Sequence, residues 1–163
     1  MEVYQPGDLW PLTFTPDQHQ AVAALCDVII PADDKSPSAS QLKVPDFIDE
    51  WVSAPYPTQQ NDRKIVLDGL QWLDKECKKR FQKRFIELAE TEKNQICDAI
   101  CYEPKASRAM KPGAVFFAKV RNLTAGAFYT TQEGMNDLRY VGNVPLTQFD
   151  GPPAGVLAYL KLQ

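Results

Sequence analysis

Residues 113–128, GAVFFAKVRNLTAGAF, are the most apolar stretch of this chain that has helical spacing. Its apolar side chains recur every three or four positions, which is the period of one face of an α-helix. The residues on this predicted face are Phe116, Phe117, Val120, Leu123, Thr124, Ala127 and Phe128. The stretch therefore predicts a central core helix with other helices packed around it.

The sequence on the N-terminal side of this stretch predicts four further helices. Thr15 followed by Pro16 is an N-cap with a proline at the first helical position, and the helix it begins would end at Pro31. The later three are a short helix at 47–52, one over 62–76, and one that begins at a Thr91 cap and ends before Pro104. The segment between Pro31 and Pro45 is rich in proline, serine and aspartate and predicts a loop.

A basic run follows the helix predicted over 62–76. Residues 75–84 contain six basic side chains and one acidic side chain. If the helix continued through them, the basic residues would lie opposite the apolar stripe, which indicates a solvated face rather than a nucleic-acid site. Asp74 would then come close to that stripe, so a helix break is expected near residues 75–80.

The C-terminal part has a different character. Thr130 and Glu133 have the spacing of a capping box and predict a helix of one or two turns through Leu138. Residues 140–163 combine three prolines and three glycines with many apolar side chains. Such a segment is expected to lie on a surface, either that of its own helices or that of another protein.

Together these patterns predict an all-α protein. We expect a single domain over 1–163, made of a helical core of about five to six helices (12–138) and an extended Pro/Gly-rich tail (139–163).

Composition and charge exclude several functional classes. The chain has 163 residues and a formal net charge of −3, which argues against general nucleic-acid binding. It contains no run of about 18 apolar residues, so no membrane span is predicted. Its one histidine, His19, excludes multi-histidine metal sites. His19 would lie in the first turn of the first helix and is expected to face solvent.

Cysteines and carboxylates are the remaining candidates for chemistry. Cys26, Cys77, Cys97 and Cys101 each lie on a predicted apolar stripe, which favours buried free thiols. Disulfides in an oxidising compartment and a metal or cluster site are the alternatives. Five carboxylates could together bind a cation, but loop solvation and helix capping are the simpler explanation for their presence. These five are Asp33, Asp34, Asp46, Asp49 and Glu50.

Three parts of the chain resemble one known family when taken in order and spacing. They are LCDVIIPADD (25–34) with VPDFID (44–49), Phe85-x-x-Leu88 leading into the helix at Thr91, and AFYT (127–130) with YVGNVP (140–145). Over about residues 12–150 the chain resembles the gluconate 2-dehydrogenase subunit 3 family.

The resemblance implies a non-catalytic small (gamma) accessory subunit of a heteromeric FAD-dependent sugar or polyol dehydrogenase. Such subunits bind a large FAD-containing subunit of the glucose-methanol-choline oxidoreductase type and help it fold and be exported. A cytochrome c subunit is a further expected partner. No cofactor is expected in this chain, because FAD belongs to the partner, and no catalytic activity of its own is expected.

The resemblance also implies a location and a set of interface residues. Many members carry a twin-arginine leader, which the first residues here lack, so we expect the periplasm if a leader is missing and the cytoplasm otherwise. The residues expected at or supporting the partner interface are Asp33, Asp34, Tyr129, Tyr140, Val141, Phe149, Tyr159 and Leu160. The alternatives are a free-standing enzyme that uses His19 or the carboxylates, and a stand-alone helical metal-binding, cluster-binding or interaction protein.

Overall fold

The computed structural model describes residues 5–142, 145, 147–148 and 151–161. These residues form α-helices and two 3₁₀ turns, Phe85–Glu87 and Glu103–Lys105, and contain no β-strand. The helices are α1 (Pro16–Ile29), α2 (Val44–Ser53), α3 (Pro57–Phe81), α4 (Glu90–Ile100), α5 (Lys111–Phe128), α6 (Gln132–Asp137) and α7 (Ala154–Tyr159). The predicted all-α class is confirmed, and α7 adds a helix in the segment expected to be extended.

The first helix begins as its sequence predicts. The Oγ1 atom of Thr15 accepts a hydrogen bond from the Gln18 N–H at 3.3 Å, and the Gln18 side chain accepts one from the Thr15 N–H at 2.9 Å. Pro16 occupies the first helical position, where its missing N–H costs nothing. This capping box lies within four residues of sequence, which is why local pattern alone predicts it.

The break expected near residues 75–80 is wrong, because α3 continues without interruption for 25 residues to Phe81. Asp74 is only partly buried and lies with Arg84 at the edge of a small pocket. The buried carboxylate of Glu76 binds Arg80, with Oε1 and Nε 2.5 Å apart. Arg80 is the i+4 neighbour of Glu76 within α3, whereas Arg84, the basic neighbour of Asp74, lies beyond the end of this helix and is not shown by a helical wheel of α3.

Two predicted helix caps are displaced by one or two residues. Thr91 lies inside α4, which is capped from Ala89, whose N–H donates to Oε2 of Glu92 at 2.8 Å. The N-cap of α6 is Thr131 and not Thr130, because the Thr130 hydroxyl donates to carbonyl groups at the end of α5. The second error arises because two adjacent threonines could each serve as the cap, and the first because the Glu92 side chain, rather than a side chain at the N-cap, forms the bond at the start of α4.

The central helix predicted at residues 113–128 corresponds to α5, which packs against α1, α2, α3 and α4. Leu123 is partly buried, and the other six residues of its predicted face are buried. Its closest neighbour is α3. Gly69 faces Phe116, and three residues later Trp72 faces Gly113, three residues earlier in α5, so the two helices are antiparallel. A Cβ atom added at Gly69 would lie 2.1 Å from the Phe116 ring, and one added at Gly113 would lie 2.2 Å from the Trp72 ring. The absence of a side chain at these two positions lets α3 and α5 approach closely.

The four cysteines are free, and three of them are buried as expected. Burial raises the pKa of Cys26, Cys77 and Cys97 to about 12 in each case. Cys101 is exposed, so its predicted burial is wrong. It lies just beyond the last residue of α4 and no longer follows the buried stripe of that helix.

A thiol reagent used near pH 8 should therefore modify Cys101 quickly and the other three cysteines only after unfolding, because the reagent attacks an accessible thiolate. The measurement is a time course of thiol modification before and after addition of denaturant. The Cys101→Ser substitution should remove the fast phase. Rapid modification of more than one thiol in the folded protein would contradict the prediction, and fewer than four thiols after unfolding would indicate a disulfide.

Candidate interaction surface

The chain leaves α6 through a Schellman turn, which fixes where the C-terminal segment starts. Arg139 adopts a left-handed conformation with a φ of 53°. The Arg139 N–H donates to the Asn136 carbonyl at 3.0 Å, and the Tyr140 N–H donates to the Met135 carbonyl at 2.9 Å. These bonds satisfy the last carbonyl groups of α6 and turn the chain away from the helix axis.

The start of α6 is packed against the end of α5. A Cβ atom added at Gly134 would lie 2.1 Å from the carbonyl oxygen of Phe128, which is backbone and cannot move aside. The Gly134 N–H also donates to the Thr131 hydroxyl at 3.0 Å. The turn that directs the C-terminal segment is therefore held on the central helix of the core.

The C-terminal segment presents large apolar side chains to solvent. We call the described residues between Leu138 and Leu160 the apolar tail. Val141 is 80% exposed and Tyr159 is 86% exposed. The tail includes α7, a helix of six residues with no charged side chain and no buried residue. Because isolated helices this short are marginal in water, contact with another surface would stabilise α7.

The eight residues predicted for the interface fall into different environments. Tyr140, Val141, Tyr159 and Leu160 are all exposed in the apolar tail. Tyr129 is partly buried at the end of α5, and its ring packs edge-on against Phe128 with the centroids 5.1 Å apart. Tyr129 is thus partly a core residue, and Phe149 lies outside the described residues.

The two aspartates predicted to shape the first loop behave differently. The Oδ1 atom of Asp33 accepts hydrogen bonds from the N–H groups of Lys35 and Ser36, each at 2.8 Å. These backbone bonds lower the pKa of Asp33. The exposed side chain of Asp34 makes no hydrogen bond or ion pair with any described residue. Asp33 therefore organises the loop, whereas Asp34 is free to face a partner.

The other predicted carboxylates bind groups of the same chain. Asp46 accepts from Nε2 of His19 at 2.7 Å, and the His19 side chain is 38% exposed, so its expected solvent-facing position is confirmed only in part. Asp49 accepts from two backbone N–H groups at 2.9 and 3.0 Å, and Glu50 accepts from one at 2.7 Å. Among the described residues no three histidine, cysteine or acidic side chains are placed to hold a metal ion.

A family model described as gluconate 2-dehydrogenase subunit 3 matches residues 16–151, which is most of the chain. The chain belongs to this family. The family description makes its members one subunit of a multi-subunit dehydrogenase. No curated protein and no solved structure matches the chain significantly.

The subunit 3 match divides the apolar tail. Residues 140–142 lie inside the matched range, whereas α7, Tyr159 and Leu160 lie beyond its end. None of the helices in the described part of this subunit 3 chain combines the length and apolar character needed to cross a bilayer.

The LCDVIIPADD stretch that resembles the family borders a groove that the sequence did not predict. The groove has a volume of about 690 Å³ and lies between the end of α1, the loop after it and the start of α4. Apolar and polar residues line it: Ala24, Asp27, Val28, Pro31, Ala32, Ser38, Glu90, Lys93 and Asn94. Among them, Asp27 accepts hydrogen bonds from the N–H and the hydroxyl of Ser40 at 2.8 and 2.7 Å. These bonds fix the loop against α1.

A buried charge network holds the subunit 3 core together. Asp62 is 3% exposed, and its Oδ1 atom lies 2.7 Å from the Nζ atom of Lys119. Its Oδ2 atom accepts from the indole N–H of Trp51 at 3.0 Å. One carboxylate thus joins α2, α3 and α5. The only sequence signal for it is that Asp62 precedes Val66 at the four-residue spacing of the buried stripe.

Proposed function

We propose that this protein is the non-catalytic small (gamma) accessory subunit of a heteromeric FAD-dependent sugar or polyol dehydrogenase. In this proposal it binds a large flavoprotein subunit of the glucose-methanol-choline type, assists its folding and export, and acts with it in the periplasm. The flavoprotein holds FAD and a cytochrome c subunit completes the complex. The single observation that carries the proposal is the apolar tail, and family membership supports it.

The tail has the composition of a protein-binding segment. Its exposed large side chains are two tyrosines with aliphatic residues: Leu138, Tyr140, Val141, Val156, Tyr159 and Leu160. Tyrosine is enriched at interfaces, where its ring can be buried while its hydroxyl forms a hydrogen bond. Full burial of one such aliphatic or aromatic side chain is worth about 1.5–3 kcal/mol. A partner surface would therefore offset the entropy cost of ordering this segment.

The test is co-expression of this chain with the flavoprotein encoded beside it, followed by affinity purification and a visible absorbance scan. A yellow complex of fixed stoichiometry is expected. The double substitution Tyr140→Ala/Val141→Ala should weaken partner binding about tenfold, because it removes two exposed apolar side chains of the tail.

A matched control is available on the helical core. Tyr102 and Val115 are also exposed, so Tyr102→Ala/Val115→Ala removes the same two side-chain types at a distance in sequence from the tail. This control should bind the flavoprotein like the wild type. Deletion of residues 140–163 is the contradicting test. If it changes neither partner binding nor the yield of soluble flavoprotein, the tail is not the interface.

A further inference from the structure

The charge of the chain is strongly divided along its sequence. Residues 1–74 contain four basic and twelve acidic side chains, whereas residues 75–84 contain six basic and one acidic. The basic group covers the end of α3 and the turn after it. A helix of the length of α3 spans about 37 Å, so the positive charge is concentrated at one end of a long element.

The basic side chains at this end differ in whether they are paired. Arg80 binds Glu76, and Nη2 of Arg84 lies 3.0 Å from Oε1 of Glu87. Lys83 lies 3.6 Å from Glu92.

The lysines in the last two turns of α3 have no close acidic partner. The side chains of Lys75 and Lys78 make no hydrogen bond or ion pair with any described residue, and the side chain of Lys79 is 75% exposed with its Nζ atom 3.9 Å from Oε2 of Glu76. We call Lys75, Lys78 and Lys79 the lysine face.

The lysine face is unfavourable in the isolated chain. Lys78 and Lys79 lie three and four residues after Lys75, so each is its neighbour on the helix surface and its ammonium group is repelled by that of Lys75. The helix dipole favours cations in the last turn, but this effect decreases rapidly and does not extend to Lys75. An anionic surface placed against these three side chains would remove the repulsion.

The lysine face lies far from the start of the apolar tail. Because α3 and α5 are antiparallel, the end of α3 is next to the beginning of α5, as the contact of Arg80 with the Met110 sulfur at 3.3 Å shows. The tail leaves from beyond the other end of α5, which is about 27 Å long. The lysine face and the start of the apolar tail are therefore separated by about the length of the central helix.

We propose that the lysine face is a second interface, and that its occupant is a protein surface rich in aspartate and glutamate on another subunit of the dehydrogenase. The proposal rests on the proposed function. A protein surface fits better than an anionic bilayer, because an acidic patch on a protein can be confined to the lysine face, whereas an extended anionic bilayer would also face other parts of a chain whose net charge is −3. The three lysines of this face are also fewer than the clusters of about four to eight that are typical of lipid binding.

The test uses the full chain and the purified flavoprotein and measures their association rate at low and high salt. Raising NaCl from about 50 mM to about 500 mM should slow association of the wild type about tenfold, since salt screens the attraction. The variant Lys75→Gln/Lys78→Gln/Lys79→Gln should associate about tenfold more slowly at low salt and lose most of the salt dependence.

The control variant is Lys35→Gln/Lys43→Gln/Lys64→Gln, which changes the net charge equally at exposed positions outside the basic end. It should associate within about twofold of the wild-type rate. Thermal melts of both variants check that the fold is retained. If the two variants behave alike while the apolar-tail variants still lose binding, the second interface is wrong and the proposed function stands.

Two further results would also overturn the proposal. Failure of the wild type to bind the flavoprotein at any salt concentration would remove the proposed function together with this inference. Vesicles containing about 30% phosphatidylglycerol are the second probe. In the contradicting case, the wild type would sediment with the vesicles, and the lysine-face variant alone would not. If that variant also associated normally with the flavoprotein, the lysine face would be assigned to a membrane.

Discussion

Replacing Gly69 with alanine is expected to lower the free energy of unfolding by about 3 kcal/mol. The new Cβ atom would lie 2.1 Å from two ring atoms of Phe116, which is itself fully buried and has no free space to move into. The ring or the whole of α3 must shift, and either movement opens gaps in the surrounding core. This cost exceeds the gain of about 1 kcal/mol that alanine brings over glycine inside a helix.

The matched control for this substitution is Gly126→Ala in α5. A Cβ atom at Gly126 has no heavy atom within 4 Å, so only the helix propensity changes. The free energy of unfolding should rise by about 0.5–1 kcal/mol. Urea denaturation of both variants gives the comparison, and two shifts of the same sign would contradict the close α3–α5 packing described here.

Removal of the buried carboxylate in Asp62→Ala is expected to lower the free energy of unfolding by about 3 kcal/mol. Lys119 would lose its counter-ion, and the indole N–H of Trp51 would lose its acceptor. The side chain of Lys119 is 30% exposed and keeps partial access to water. The expected loss of unfolding free energy is therefore at the lower end of the range for breaking a buried ion pair.

Two further variants separate the loss of charge pairing from a general effect of mutation. Lys64→Ala/Asp68→Ala removes an ion pair that is 2.6 Å long but exposed, and should cost less than about 1 kcal/mol. The apolar pair Asp62→Leu/Lys119→Met should recover much of the stability lost in Asp62→Ala, because no unpaired charge remains. A double variant no more stable than Asp62→Ala would show that packing, and not charge, dominates at this position.

The sequence predicts the helices of this protein well where the deciding contacts are local. Thr15 and Pro16 define the start of α1 within one turn, and the face of α5 follows from spacing alone. The length of α3 was underestimated because the neighbour of Asp74, Arg84, lies beyond the end of that helix. Cys101 was misplaced because a regular stripe does not show that α4 ends one residue before it.

The candidate site was predictable only in outline. Tyr140 and Tyr159 are exposed, and their contact with a partner stays a prediction. The half-buried position of Tyr129 depends on its contact with Phe128. The basic run was correctly seen as an exposed face. The pair of Arg80 with Glu76 is local and follows from spacing, whereas the pairs of Lys83 with Glu92 and of Arg84 with Asp17 join separate elements and are visible only in three dimensions.

The close antiparallel packing of α3 and α5 has a consequence for avidity. Gly69 and Gly113 hold the two helices at a fixed separation, so the pair acts as a rigid spacer between the lysine face and the apolar tail. In the proposed two-contact assembly, binding at one end raises the effective concentration of the other end at its own site. Two weak contacts then give one tight complex. Loosening of the spacer would lower the affinity without any change in a residue that touches the partner.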